Sequence, residues 1–184
     1  PFPSRPPLPI HLPILTDLFQ QVASRCQQTA TDHPWWPCRA GCDDCCRSLA
    51  EEPRFSATEW AALRHALAAL PTETQASIAA RLDALAADSP TANRRVCPFL
   101  DATRGLCQVY DGRPLACRTY GYYADRGDGK HCDQVTTAVA AHNDAPIVWG
   151  NETALMARAE AALGGVRPLS DWWRDDRARP TQRG

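Results

Sequence analysis

The sequence lacks an excess of charge of either sign, because 20 basic residues are balanced by 21 acidic ones in 184 positions. A balance this close produces no overall field that would attract nucleic acid or anionic lipid. We therefore expect no nucleic-acid partner and no membrane partner. Any protein partner, which composition does not identify, would have to be recognised through a specific site.

Long apolar runs are also missing. "AALRHALAAL", residues 61–70, is among the longest, and charge interrupts it well short of the roughly 20 residues that a membrane span needs. The opening "PFPSRPPLPIHLPIL" does not contain the uninterrupted apolar segment of a secretory signal. We expect a cytoplasmic protein, and in a reducing compartment clustered cysteines bind metal or react more often than they form disulfides.

Fingerprints of nucleotide binding and of nucleophilic catalysis are absent as well. "GDGK" at residues 127–130 is too short for a phosphate-binding loop. What the chain does contain is nine cysteines. Its length is sufficient to bury a hydrophobic core without disulfides, so the cysteines call for another explanation.

The apolar pattern predicts a mostly α-helical chain with turn-rich irregular segments, in which a helical hairpin supports a cysteine-lined metal site. We expect a proline-rich N-terminal arm at residues 1–13, a single metal-binding domain at 14–176 and a flexible tail at 177–184. The region from Val96 to Cys132 is divided by turn sequences, so short strands and one short helix are expected there.

Several helix boundaries are predicted from capping residues. "SATE", Ser56 to Glu59, is a capping box that begins a helix reaching Leu70, and Pro71 ends it. Thr72 with Gln75 repeats the box before the second helix of the hairpin. The apolar stripes of both hairpin helices are expected to form core. A first helix is expected from Ile14 to Thr29. Further caps are predicted at Asp111, Asn151 and Ser170.

The cysteines form two clusters in the sequence. "PCRAGCDDCCRSL" places four within nine positions, about fifty cysteine-free residues follow, and four more are spread over residues 97–132. We expect the hairpin to bring both clusters together, so that their thiolates converge on one site or on two neighbouring sites. The candidate metal ligands are Cys38, Cys42, Cys45, Cys46, Cys97, Cys107, Cys117 and Cys132, whereas Cys26 is expected to be a small core residue.

Cysteine spacing leaves the metal open between zinc and iron. Structural zinc prefers pairs two to four residues apart, which Cys42 and Cys45 satisfy and the later cysteines do not. "CRAGCDDC" is C-x3-C-x2-C, a spacing that suits a loop wrapped around an iron–sulfur cluster, with the 4Fe-4S type preferred. Radical enzymes that use S-adenosylmethionine share this spacing, but they need a large β/α barrel that the pattern here does not predict.

The doublet Cys45 and Cys46 adds a constraint. In extended backbone, neighbouring side chains point to opposite sides and do not easily serve one centre. The doublet therefore predicts either two roles at one centre or two adjacent centres.

The motifs "CRAGCDDCC", "CPFLD" and "GLCQVYDGRPLACRTYG" together resemble the bacterial cysteine-cluster family of zinc- or iron-chelating domains, whose pattern is CxxCxxCC followed by CPFL, C-x-(I/V)-Y and RP-x-x-CR. The resemblance covers Cys38 to Gly121, and three residues rather than two separate Cys38 from Cys42. It implies metal binding through these cysteines. It also implies an iron–sulfur cluster as a candidate cofactor, because a related domain occurs in a flagellin lysine methylase with which such a cluster is associated.

Cationic and aromatic residues near the cysteines are candidate supports for the centre. Four thiolates around a dication leave net negative charge, so Arg113 and Arg118 are candidates to donate to sulfur, and Tyr110 to supply a hydroxyl or a packing wall. Their alternative roles are surface salt bridges and core packing.

Carboxylates and histidines close to the cysteines are weaker candidates for ligands. Asp43 and Asp44 suit hard cations better than a soft sulfur site, so we expect them to face water or accept backbone hydrogen bonds. His33 and His131 could complete a mixed site, although a loop histidine is more often a surface or packing residue.

Three functions follow from these patterns. The first is a metal-binding protein that holds an iron–sulfur cluster or zinc. The second is a metal-dependent redox or methyl-transfer enzyme, which predicts an open coordination position and a pocket lined by Tyr110, Tyr120, Tyr122 or Tyr123. The third is an exported protein stapled by disulfides.

Overall fold

The computed structural model describes residues 13–39, 41–87, 95–125, 131–142 and 145–178, together with the backbone of 128–129. Residues 1–12 of the predicted proline-rich arm and residues 179–184 of the predicted tail lie outside these ranges. "GDGK" is described only in part.

Helices dominate the described residues, which confirms the prediction of a mostly helical chain. The first covers the predicted Ile14 to Thr29 and continues to Asp32. In chain order the helices are α1 (Pro13–Asp32), α2 (Asp44–Arg47), α3 (Ala57–Ala68), α4 (Thr72–Ala87), α5 (Leu115–Thr119), α6 (Asp133–Ala141), α7 (Glu152–Leu163) and α8 (Leu169–Ala178).

The strands are two or three residues long and connect loops through backbone pairing. They are β1 (Arg54–Phe55), β2 (Leu100–Asp101), β3 (Leu106–Cys107), β4 (Tyr123–Asp125), β5 (Asp128–Gly129), β6 (Gly150–Asn151) and β7 (Arg167–Pro168). β1 pairs antiparallel with β7, β2 with β3, and β4 lies between antiparallel β5 and parallel β6. Within the described ranges these strands do not build a β/α barrel.

Two of the predicted caps are present as expected. The Ser56 side chain accepts the Glu59 N–H while the Glu59 carboxylate accepts the Ser56 N–H, so the capping box of α3 is complete. The Asn151 side chain accepts the Ala154 N–H at 2.9 Å at the start of α7. Each of these caps depends only on residues within one turn of the helix, which is why the local sequence predicts them.

The predicted cap at Asp111 is wrong, because a residue distant in sequence caps α5 instead. Pro114 precedes α5 without a side-chain cap, and the Leu115 N–H donates to Glu59 Oε1 at 2.8 Å. The other oxygen of that carboxylate accepts both the N–H and the hydroxyl of Ser56 at 2.8 Å. Glu59 is buried, at 3% exposure, and it ties the start of α3 to the start of the helix that carries Cys117.

The predicted cap at Ser170 is wrong for a related reason. α8 begins one residue earlier, at Leu169, so Ser170 lies inside the helix. Its N–H and its hydroxyl both donate to the Glu52 carboxylate, which lies in the segment before β1. A second glutamate distant in sequence therefore holds a helix start in place.

The capping box predicted for α4 is also not formed. Thr72 is the first helical residue rather than the cap. The Gln75 side chain donates at 2.7 Å to the carbonyl of Leu70, at the end of the preceding turn. Gln75 therefore secures the connection between α3 and α4 instead of capping α4.

Two hydrophobic cores lie on either side of the cysteine loops. The predicted apolar stripes of α3 and α4 both enter the first core, so the prediction that they form core is confirmed. That core contains Phe55, Trp60, Leu63, Ala66, Ile78, Leu82, Leu85, Cys97, Phe99, Leu100, Val109 and Leu169, with Cys46 and Cys107 packed against it. The second core contains Leu18, Val22, Leu115, Tyr123, Leu155 and Ala159, with Cys26 packed against it.

None of the helices in the described residues combines the length and the apolar character needed to span a bilayer.

Replacing Glu59 with alanine is expected to lower the free energy of unfolding by about 3 kcal/mol, because it leaves the buried N–H groups of Leu115 and Ser56 without their acceptor. Glu73→Ala is the matched control, since Glu73 is an exposed glutamate in the first turn of α4, and its loss should be about 0.5 kcal/mol or less. Chemical denaturation of the full chain measures both. Equal losses in the two variants would contradict the assigned role of Glu59.

Candidate metal centre

The first cysteine loop ends in a single helical turn. Gly41 has a φ of 89°, which turns the chain before Cys42, and α2 then carries Cys45 and Cys46. The two cysteines are thus helical rather than extended, so the expectation that they point to opposite sides is wrong. Successive side chains on a helix are about 100° apart, and the two thiols are hydrogen-bonded to each other.

The second cluster reaches α2 through backbone pairing. Leu49 and Arg95 form an antiparallel bridge, which lays the chain before Cys97 alongside the chain after α2. The Cys97 N–H donates to the Cys46 carbonyl at 2.7 Å, and the two thiols are also hydrogen-bonded. The two cysteine clusters of the sequence are therefore brought together here.

Cys107 and Cys117 approach the same thiols from two further elements. Cys107 lies in β3 opposite Leu100 of β2, and Cys117 lies inside α5, whose start Glu59 holds. Electrostatic interactions link Cys107 with Cys45 and Cys46, and link Cys117 with Cys107. Four separate segments thus contribute thiols to one region.

Cys38 interacts electrostatically with Cys132, Cys42 and Cys45. A Cβ atom placed on Gly121 would lie 2.6 Å from Cys38 Sγ, so only glycine allows this approach. The Tyr122 hydroxyl donates to the Cys38 carbonyl at 2.6 Å. Cys132 is the residue immediately before α6.

Burial and neighbouring thiols raise the pKa values of several cysteines in this region. Burial raises the pKa of Cys38 to about 12, assisted by Cys132, Cys42 and Cys45. The pKa of Cys46 is lowered by its hydrogen bond with Cys45, but the bond with Cys97 and burial outweigh this and raise it to about 12. Burial also raises the pKa of Cys117. Without a cation, then, this region favours protonated thiols, and a bound metal reverses that preference.

The thiols are close without yet forming a coordination polyhedron. Among the described residues, no group of three or more histidine, cysteine, aspartate or glutamate side chains is arranged to hold a metal ion. All nine cysteines belong to the described part of the chain and all are free thiols. The donor set is nevertheless all sulfur, which fits zinc or an iron–sulfur cluster better than a hard cation.

The two arginines predicted to support the centre have different surroundings. The Arg118 guanidinium donates to the Arg113 and Asp111 carbonyls at 2.8 Å and lies 3.9 Å from the centroid of the Phe19 ring. These contacts tie α5 to α1, and burial lowers the pKa of Arg118 to about 10. Its direct contacts hold α5 in place, and its positive charge also lowers the pKa of Cys107, which burial raises.

The charge of Arg113 acts on three of the candidate ligands. Its positive charge lowers the pKa values of Cys45, Cys107 and Cys117, partly offsetting the effects that raise them. Its guanidinium lies 3.7 Å above the ring centroid of Tyr110, a side chain that is 46% exposed. Tyr110 thus packs on the cation and faces solvent.

The two acidic residues of the first loop have different partners, a neighbouring arginine and a cysteine distant in sequence. The Asp43 carboxylate pairs with Arg47 at 2.6 Å. Asp44 hydrogen-bonds to the Cys132 thiol and adds to the rise of its pKa, which burial dominates. Asp44 thus touches a candidate ligand, a contact that its sequence position did not indicate.

An aromatic cluster covers the Cys38 side of the region, and sequence reasoning did not identify it. Its rings lie 4.1 to 6.2 Å from their neighbours and belong to His33, Trp35, Trp36, Tyr122, His131, His142 and Trp149. The two candidate histidines thus pack on tryptophans: His33 against Trp35, and His131 against Trp149. The sequence "HPWWP" signals one half of the cluster, but nothing local indicates that Trp149 joins it.

A cavity of about 390 Å³ borders the thiols. Five cysteines line it, namely Cys45, Cys46, Cys97, Cys107 and Cys117. Much of the remaining wall is apolar and includes Met156 and Leu163 of α7. Of the four tyrosines predicted to line a pocket, Tyr120 borders this cavity, whereas Tyr110, Tyr122 and Tyr123 are not in its wall.

Comparison with known families agrees with this arrangement. The family model CxxCxxCC, described as a zinc- or iron-chelating domain, matches residues 37–142 and so spans all eight candidate ligands. The chain belongs to this family. Membership of this family supports a metal-binding role for the chain, with a metal ion as its binding partner. Searches of curated proteins and of solved structures found no match.

The close approach of Gly121 to Cys38 generates a prediction. In Gly121→Ala the new Cβ would collide with Cys38 Sγ at 2.6 Å, in addition to the strain of a φ of 85°. Gly164→Ala is the matched control, because its φ is 81° and it has no atom within 4 Å of the added Cβ. Both variants should lose about 1–2 kcal/mol of stability to backbone strain.

Gly121→Ala alone should also lose bound metal, by displacing the Cys38 loop. Elemental analysis of the two purified variants measures this. Equal metal content would show that the approach of Gly121 to Cys38 does not matter for the centre.

Proposed function

We propose that this chain holds a thiophilic metal, as an iron–sulfur cluster or as zinc, through the thiolates of the two cysteine clusters. The observation that supports this most strongly is the convergence of thiols from α2, β3, α5 and the Cys97 segment around one region. Thiolates that converge without a cation would repel one another. A metal supplies the positive charge that makes their burial favourable.

The cysteine spacing supports a 4Fe-4S cluster as the first choice of cofactor. C-x3-C-x2-C allows Cys38, Cys42 and Cys45 to wrap a cluster larger than a single ion, with a cysteine distant in sequence as the remaining ligand. Zinc is the alternative, because four thiolates also satisfy its tetrahedral preference. Arg113 would partly balance the net negative charge of either centre.

A second candidate function is that of a metal-dependent redox or methyl-transfer enzyme. The cavity that five thiols border favours it, because a substrate held there would lie next to the centre. Methyl transfer at the metal would further require a coordination position that no protein ligand occupies.

Anaerobically purified protein is expected to contain zinc, or iron with sulfide and the visible absorption of an iron–sulfur cluster. Cys46→Ser should lower the bound metal, because it removes a thiol that contacts both Cys45 and Cys97. Cys26→Ser is the control that should keep it, since the Cys26 thiol hydrogen-bonds to the Arg118 carbonyl instead. Elemental analysis measures the metal content of the wild type and of both variants. A folded wild-type protein free of metal would refute the proposal.

The enzyme alternative has a separate test in the cobalt(II)-substituted full chain, because cobalt replaces zinc and reports its ligands through its visible spectrum. An open coordination position predicts that added imidazole shifts the cobalt absorption bands. A spectrum that imidazole leaves unchanged would exclude the open position, and with it methyl transfer at the metal.

A further inference from the structure

Only five of the eight candidate ligands border the cavity. Cys46, Cys97, Cys107 and Cys117 border the cavity, as does Cys45. Cys38, Cys42 and Cys132 are not part of its wall, a division that follows from the shape of the molecule alone. The division does not follow the two sequence clusters, because Cys45 and Cys46 of the first cluster border the cavity together with three cysteines of the second.

The cavity-side thiols are held by the first hydrophobic core. Cys97 is 6% exposed and belongs to that core, and Cys46 and Cys107 pack directly against it. The backbone bond between Cys97 and Cys46 and the pairing of Cys107 with Leu100 set their positions. Cys117 joins them from α5. This gives four thiols, which is the number that completes a tetrahedral zinc site or a 4Fe-4S cluster.

The remaining thiols are held by different elements. Cys38 packs against Gly121 and is fixed through its carbonyl by the Tyr122 hydroxyl. Cys132 lies at the start of α6, within reach of Asp44, next to the aromatic cluster. Cys42 precedes α2, so these three thiols depend on the loop, α6 and the segment after α5 rather than on the first core.

Cys45 lies between the two groups. On the cavity side it is hydrogen-bonded to Cys46 and interacts electrostatically with Cys107 and Cys117. On the other side it interacts electrostatically with Cys38 and forms the C-x2-C pair with Cys42. Of the eight candidate ligands, three lie outside the cavity wall, whereas four border the cavity without Cys45. Assigning Cys45 to the first loop therefore completes a second set of four and leaves no candidate ligand unassigned.

We propose that the eight thiols form two metal centres, one held by Cys46, Cys97, Cys107 and Cys117 and the other by Cys38, Cys42, Cys45 and Cys132. This inference rests on the proposed function and adds the number of centres and their ligands. The Cys45–Cys46 doublet then joins the two centres through one peptide bond. Four thiolates per centre leave no open coordination position, which favours metal holding or electron transfer over methyl transfer at the metal.

The test removes one ligand from each set in the full chain. Cys107→Ser and Cys132→Ser should each halve the metal content of the wild type, and the double variant should lose nearly all of it. Serine suits the position of Cys132 because it is a favoured residue before a helix. Cys26→Ser is the control and should keep the full content.

A measurement on the wild-type chain tests the same proposal without depending on whether the variants fold. Cobalt(II) added to the metal-free full chain should increase the thiolate-to-cobalt absorption up to two equivalents. Saturation at one equivalent, or a single serine variant that loses all of its metal or none, would overturn the two-centre proposal and leave metal binding intact. A wild-type chain that binds no metal would instead refute the proposed function itself.

Discussion

The interaction on which the rest of the structure depends is that among clustered, partly buried cysteine thiols. The Cys46 thiol is hydrogen-bonded to those of Cys45 and Cys97, and the thiols of Cys107 and Cys117 approach from two other segments. Bringing thiols together in a buried region raises their pKa values, so thiolates there need a compensating positive charge. Membership of a zinc- or iron-chelating family agrees with a metal as the source of that charge.

The framework around the thiols is built from contacts between residues distant in sequence. Buried Glu59 joins the start of α3 to the start of α5, and Glu52 joins the segment before β1 to the start of α8. Two-residue strands add clamps where loops meet. Because helix starts are held by side chains from elsewhere, the helices that carry or flank the cysteines are positioned by the whole fold, and a local change at Glu59 reaches Cys117.

Features that depend on neighbouring residues could be predicted from the sequence. The capping box at Ser56, the cap at Asn151, the apolar faces of α3 and α4 and the family of the cysteine motifs all belong to this class. Features that depend on distant partners could not. Asp111 and Ser170 are residue types that often cap helices, but the acceptors used by Leu115 and Ser170 are carboxylates 56 and 118 residues away.

The site shows the same division between local and distant contacts. Sequence spacing identified the eight cysteines but not the helical turn at Cys45 and Cys46, because one turn of four residues leaves no periodic signal. α6 was not predicted, since "DQVTTAVAA" is rich in β-branched residues with low helix propensity. The aromatic cluster requires contact between Trp36 and Trp149, which are more than a hundred residues apart in sequence. The cavity likewise includes residues of α7 in its wall.

The central claim is that sulfur from this chain surrounds a metal. X-ray absorption at the metal edge of the anaerobically purified full chain tests it most directly, because it counts the atoms that coordinate the metal. The account predicts a first shell dominated by sulfur at about 2.3 Å, with about four sulfur atoms per metal. A first shell dominated by nitrogen or oxygen would contradict it.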